Sequence, residues 1–107
     1  MVDDGQVIQG TVHDPIARTL GGVTGNAGLF APAPDLARFA AMLANGGVLD
    51  GVRILKKETI DLFTARQPRA GTRALGWDTP ERDGSGAAGR KISPRAIGHT
   101  GYTGTTL

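Results

Sequence analysis

The fold of this chain is decided by LGGVTGNAGLFAPAPDLARFAAMLANGG, residues 20–47, in which a glycine-rich loop leads into an amphipathic helix. Pro34 suits the first helical position, and Asp35 lies in the first turn, where the helix dipole favours an acid. Apolar residues recur at the spacing of one helix face, at Leu36, Phe39, Ala40 and Leu43. Since Asn-Gly-Gly follows as a strong stop signal, the pattern predicts a helix over about 34–45.

The loop before this helix, GGVTGNAG at 21–28, has four glycines in eight residues. Such density predicts left-handed backbone or close packing of the chain. The order G-G-x-x-G-x-x-G matches neither the dinucleotide-binding nor the P-loop pattern, so a tight loop is favoured over a phosphate site. Asn26 remains a candidate for the rim of a functional site.

Downstream of the helix, Asp50-Gly51 separates two apolar runs within 48–55 and predicts a β-hairpin. A second, shorter helix is predicted at about 57–65. The remaining predictions are a polar connection at 66–73, a strand at 74–78, an exposed loop at 79–91 and a glycine-containing strand at 96–107. Trp77 in the strand ALGWD is interpreted as packing, with substrate stacking as the alternative.

Upstream, residues 1–20 are predicted to be extended or irregular, with a turn at His13-Asp14-Pro15. No serine in a nucleophile elbow accompanies His13 and Asp14, so a catalytic triad is disfavoured. His13 and His99 lack further ligands at short spacing, and the chain has no cysteine. We therefore expect neither a metal site nor a cofactor.

The charge balance disfavours a polyanionic partner, since 12 basic and 10 acidic residues leave a net charge of +2. Acidic residues interrupt the basic ones of the C-terminal part, which predicts a solvated surface rather than a nucleic-acid interface. These basic residues are Arg66, Arg69, Arg73, Arg82, Arg90, Lys91 and Arg95. No apolar run could span a bilayer, and MVDDGQVIQG is not a signal peptide, so the compartment stays open.

Three segments in this order resemble one family: residues 20–47, then LDGVRIL with its short helix at 49–64, and IGHTGYTGTTL at 97–107. They are similar to the C-terminal third of serine hydrolases related to class C β-lactamases, D-Ala-D-Ala carboxypeptidases and the esterases that share their fold. The resemblance implies an α/β fold with an antiparallel sheet flanked by helices. It also implies hydrolysis of an ester, amide or β-lactam bond through an acyl-enzyme.

The family's chemistry needs a Ser-x-x-Lys nucleophile, a Tyr-x-Asn or Ser-x-Asn loop, and a Lys-Thr-Gly or His-Thr-Gly strand. The third element is present as His99-Thr100-Gly101. Neither Ser85 nor Ser93 has a lysine at the third following position, and the single tyrosine is not followed by x-Asn. We therefore expect the chain alone to be inactive, and whether the parent protein is an enzyme stays open.

The resemblance implies a role for each residue of the third element. Thr100 would bond a substrate carboxylate or carbonyl, and Gly101 would let the substrate approach the strand. The backbone N–H of Tyr102 would stabilise an oxyanion. His99 stands where the family usually has lysine. A histidine is mostly neutral at pH 7, so it should attract a substrate carboxylate less than lysine would.

Residues 1–107 are thus expected to form a single partial domain, the C-terminal portion of such a hydrolase, because the chain stops at Leu107 within a predicted strand. Its partner would be a small-molecule or peptide substrate in the parent protein. Exposed sheet edges would favour self-association. The alternative is a non-catalytic module of the same fold that binds peptides or glycans.

Overall fold

A computed structural model of the chain describes residues 2–3, 5–81, 83 and 91–107. The chain divides into two compact units, Met1–Ala33 and Pro34–Leu107. Much of the predicted 79–91 loop lies outside the described residues, including Arg82, Ser85 and Arg90.

The first unit begins with a small hairpin and continues into a short helix. Strands β1 (Val2–Asp3) and β2 (Gln6–Val7) pair antiparallel. Helix α1 spans Pro15–Thr19, so the prediction of an irregular segment with a turn at 13–15 was wrong at this point. The Asp14 carboxylate accepts a hydrogen bond from the Ala17 N–H at 2.7 Å, and proline occupies the first helical position. Both are recognised helix-start signals.

Glycines end α1 and shape the loop that follows. Gly22 N–H donates to the Ala17 carbonyl and Gly21 N–H to the Arg18 carbonyl, which is the Schellman pattern. Gly21 and Gly22 have φ of 83° and 85°, as the glycine density predicted. A Cβ on Gly28, whose φ is 103°, would collide with the Gly22 carbonyl oxygen.

The second unit is built on α2 (Ala33–Ala44), which confirms the predicted helix within one residue at each end. Met42 and Leu43 are buried against Ile60 of α3 (Lys57–Thr64), a helix that was also predicted. Leu49 and Trp77 pack against this cluster, and Trp77 stacks on Phe39 with ring centroids 6.4 Å apart. The packing interpretation of Trp77 is therefore confirmed.

A tight hairpin joins the two helices, as the Asp-Gly pair predicted. Strands β3 (Val48–Leu49) and β4 (Val52–Arg53) pair antiparallel. Asp50 and Gly51 both have positive φ, 48° and 79°, which is the two-residue turn that matches strand twist. Since Leu49 packs on the helix cluster, the α/β class with antiparallel strands and flanking helices is confirmed.

Two strands predicted in the last part of the chain are not formed as continuous strands. Residues 74–77 form a turn, in which Ala74 N–H donates to the Trp77 carbonyl and Gly76 has φ of 81°. The segment 96–107 reverses direction near Gly104, whose φ is 91°. Single antiparallel bridges join the resulting arms: Arg73 with Asp78, Asp78 with Gly98, and Thr100 with Thr106. Glycine in left-handed backbone explains both reversals, because a strand cannot continue through it.

Among the described residues, the structure contains no helix with the length and apolar character needed to cross a bilayer.

Candidate functional site

The four residues assigned to the substrate-binding wall lie in and beside the final hairpin. His99 N–H donates to the Leu107 carbonyl at 2.9 Å, and Leu107 N–H returns a bond to the His99 carbonyl at 3.1 Å. Gly101 N–H donates to the Thr105 carbonyl at 2.7 Å and closes the turn. Thus His99 and Thr100 lie on one arm, Gly101 begins the turn, and Tyr102 lies within it with 97% of its surface exposed.

Two glycines of this hairpin lie against the returning arm. A Cβ on Gly101 would collide with the Thr105 hydroxyl, and one on Gly98 would come within 2.7 Å of the Leu107 carbonyl oxygen. A substrate was expected to approach Gly101 closely, but in this structure Thr105 occupies that space. The backbone contact makes glycine the fitting residue at Gly98, whereas at Gly101 the Thr105 side chain would have to rotate to admit a Cβ.

A cavity of about 560 Å³ lies beside the hairpin, and two of the four residues predicted for the substrate-binding wall line it. His99 and Thr100 line it, whereas Gly101 and Tyr102 do not. The rest of the lining includes Arg73, Asp78, Thr79, Glu81, Ile97 and Leu107. Both signs of charge and threonine hydroxyls line this open cavity, together with apolar side chains: Pro80, Ile92, Ala96, Ile97 and Leu107. A ligand there would meet a mixed surface of apolar contacts and a few polar groups.

Hydrogen bonds connect His99 to residues that the motif did not indicate. Its Nδ1 lies 2.8 Å from the Thr100 carbonyl oxygen, and its Nε2 lies 3.1 Å from Nη1 of Arg73. The Nε of Arg73 in turn lies 3.1 Å from Oδ1 of Asp78. Sequence reasoning placed Arg73 only among surface cations. Gly76 is the sequence feature that could have indicated a role for Arg73, because a turn at this glycine places residues 73 and 78 opposite each other.

A larger cavity of about 980 Å³ lies among residues of the predicted basic surface. Arg66 and Glu81 line it and form an ion pair at 3.6 Å between Nη2 and Oε2. Arg95 and Asp83 also line it. Acidic groups therefore accompany the arginines in space as they do in sequence.

The remaining candidates have local structural roles. Asp14 caps α1, as described above, and the Asn26 amide oxygen accepts a hydrogen bond from the Thr24 hydroxyl at 2.7 Å inside its own loop. The Ser93 hydroxyl accepts the Arg95 N–H at 3.2 Å. In the part of the chain that the structure describes, no three side chains of the metal-binding types come together.

Comparison with known proteins gives one consistent result. The family model described as Beta-lactamase matches residues 2–107. A provisionally named D-alanyl-D-alanine carboxypeptidase of Salmonella typhi is 39% identical over 101 residues, which are 90% of this chain and 23% of that protein. A protein of the same name from Salmonella newport matches with the same identity and coverage. The chain therefore spans less than a quarter of the length of these relatives. No solved structure matches it significantly.

Proposed function

The chain belongs to the beta-lactamase family of serine hydrolases, and we propose that it supplies one wall of the active site of a larger hydrolase. That protein would act on ester, amide or β-lactam bonds through an acyl-enzyme. The observation that supports this most directly is the cavity lined by His99 and Thr100, within the segment that the family match covers. The carboxypeptidase relatives make a peptide bond to a terminal D-alanine one candidate substrate.

In the proposed reaction, a serine hydroxyl from outside residues 1–107 adds to the substrate carbonyl and gives its proton to a neighbouring base. The leaving group departs with a proton, and water later releases the acyl group from the serine. The backbone N–H of Tyr102 would donate to the oxyanion of each tetrahedral intermediate. Thr100 would hold a substrate oxygen through its hydroxyl, and His99 and Gly101 would shape the wall beside it.

The nucleophile is proposed to lie elsewhere because both serines of this chain lack the required neighbour. Ser85 is followed at the third position by Ala88, and Ser93 by Ala96. A Ser-x-x-Lys turn places the lysine amine one helical turn from the hydroxyl, where it can take the proton. Neither serine here can be paired in that way.

Acylation by labelled penicillin tests the function in the full-length protein. We expect one adduct per molecule, on a serine outside residues 1–107 that is followed by x-x-Lys. Peptide mapping by mass spectrometry locates it. An adduct on Ser85 or Ser93 would overturn the proposed division of the site, and absence of any adduct together with absent esterase activity would favour the binding module.

The second candidate is a non-catalytic module of the same fold that binds peptides or glycans. It predicts saturable binding of a peptidoglycan fragment by the full-length protein without turnover. Calorimetry with a D-Ala-D-Ala peptide, run alongside an assay for released D-alanine, separates the two functions.

We also propose that residues 1–107 are a partial domain that is completed by other segments. Large apolar side chains of the first unit are exposed, among them Val23 at 90%, Leu29 at 86% and Val7 at 75%. Such exposure is unusual for a complete monomeric domain when it recurs in one small unit. The short strands also leave open edges that favour pairing with another chain.

Self-association of the 107-residue chain follows as a prediction. We expect its sedimentation coefficient to rise with concentration, because exposed apolar residues and strand edges pair between copies. Val23→Ser with Leu29→Ser should reduce this association, whereas Thr11→Ser, at an exposed polar position of the same unit, serves as the control. A concentration-independent monomer with a sharp thermal transition would count against a partial domain.

A further inference from the structure

Arg73 lies against His99 in the cavity that also contains Thr100. We propose that Arg73 is a positioning residue that holds His99 as its neutral Nδ1–H tautomer, so that the Arg73 guanidinium is the permanent cation among the described residues that line this cavity. The tautomer is inferred from two contacts of the His99 ring; its consequence for substrate choice rests on the proposed function.

The identity of the two partners assigns the proton on His99. A guanidinium can only donate, so Nε2, at 3.1 Å from Nη1 of Arg73, must be the acceptor of that bond. A carbonyl oxygen can only accept, so Nδ1, at 2.8 Å from the Thr100 oxygen, must bear the hydrogen. A doubly protonated imidazole would place an N–H against the guanidinium. Only the neutral Nδ1–H form satisfies both contacts.

Asp78 holds the guanidinium in the orientation that this bond needs. Its Oδ1 lies 3.1 Å from Nε of Arg73, and its side chain is only 33% exposed. Backbone pairing fixes the distance between the two residues, because Asp78 lies opposite Arg73 on one side and Gly98 on the other. The same bridges place His99, next to Gly98, within reach of the guanidinium. One ladder thus aligns all three side chains.

In this arrangement the positive charge that a substrate would meet is on Arg73 and not on His99. A neutral His99 contributes no positive charge, and its Nε2 already accepts a hydrogen bond from Arg73. The guanidinium uses two of its five N–H donors on Asp78 and His99, and its planar fork matches a carboxylate. A carboxylate-bearing ligand in the cavity would therefore find its cation in Arg73, against the opposing negative charges of Asp78 and Glu81, which line the same cavity.

Long-range ¹H–¹⁵N spectra of the histidine side chains in the full-length protein test the tautomer, since they distinguish a protonated from a bare ring nitrogen. The His99 signal is assigned by its loss in His99→Gln. Near pH 8 we expect a protonated Nδ1 and a bare Nε2. Arg73→Met should shift His99 toward the Nε2–H form, which free imidazole prefers in water.

The matched control is Arg38→Met, which also breaks an exposed arginine–aspartate pair, at 2.6 Å to Asp50, outside this cavity. It should leave the His99 spectrum unchanged. A wild-type His99 that is protonated on Nε2, or a His99 signal that Arg73→Met does not move, overturns the proposal. Because these spectra need no turnover, they remain decisive even if the proposed hydrolysis fails.

Substrate selectivity gives the second readout, as the ratio of kcat/KM for a carboxylate-bearing and a neutral ester. Arg73→Met should lower this ratio about tenfold through KM, because one charge-assisted hydrogen bond to the carboxylate is lost. Asp78→Asn should raise it about threefold by removing a neighbouring negative charge. If both esters are hydrolysed and neither variant changes the ratio, Arg73 has no role in carboxylate recognition. If neither ester is hydrolysed, the proposed function fails instead.

Discussion

The isolated 107-residue chain should hydrolyse neither a nitrophenyl ester nor a chromogenic cephalosporin above the buffer rate. Its two serines, Ser85 and Ser93, have no lysine at the third following position to accept a proton. Removing a serine nucleophile from an enzyme of this chemical type costs on the order of 10⁶-fold in kcat. We therefore expect the largest contrast of all between this chain and the full-length protein, measured at equal concentration.

Controls for this assay separate a missing nucleophile from misfolding. Because the chain is proposed to carry one wall of the site, adding a separately expressed fragment with the Ser-x-x-Lys segment should restore part of the activity. A Ser93→Ala variant of the chain should behave like the chain itself. Turnover by the isolated chain that disappears in Ser93→Ala would mean that this serine is a nucleophile after all.

The second large effect is expected for Gly47→Ala, which should destabilise the second unit by about 3 kcal/mol or more. Gly47 has φ of 90°, and a Cβ there would collide with the Leu55 carbonyl oxygen. Its N–H donates to the Met42 carbonyl at the end of α2, and its carbonyl accepts from Ile54 and Leu55. The substitution would thus disturb the helix end and the hairpin that covers it.

Gly51→Ala is the matched control, since Gly51 also has positive φ, 79°, but nothing lies within 4 Å of a Cβ there. The free energy of unfolding of this variant should fall by only about 1 kcal/mol, which is the cost of placing a residue with a Cβ in left-handed backbone. Urea titration followed by the fluorescence of Trp77, the chain's one tryptophan, measures both. All samples need one protein concentration, because association would add to apparent stability. If Gly47→Ala and Gly51→Ala lower the free energy of unfolding equally, the Leu55 carbonyl moves aside without an energetic cost.

The regular elements and the family were within reach of sequence reasoning because their signals are local. The apolar stripe and the Asn-Gly-Gly stop determine α2, and Asp50-Gly51 determines the hairpin turn. The start of α1 also carries a local signal, aspartate followed by proline, but the same pair is equally typical of a turn. The His99-Thr100-Gly101 strand could be named only through its order after the other segments.

The sequence by itself therefore determined α2, α3, the Asp-Gly hairpin and the family, because each depends on residues that are near neighbours in the chain or stand in a fixed order. Only the tertiary structure decided that residues 74–77 turn back and that 96–107 fold into a hairpin. The reason is that a glycine among β-branched residues permits both a strand and a reversal, and long-range pairing selects between them. That pairing brings Arg73 to His99, 26 residues away, a contact that no local pattern specifies.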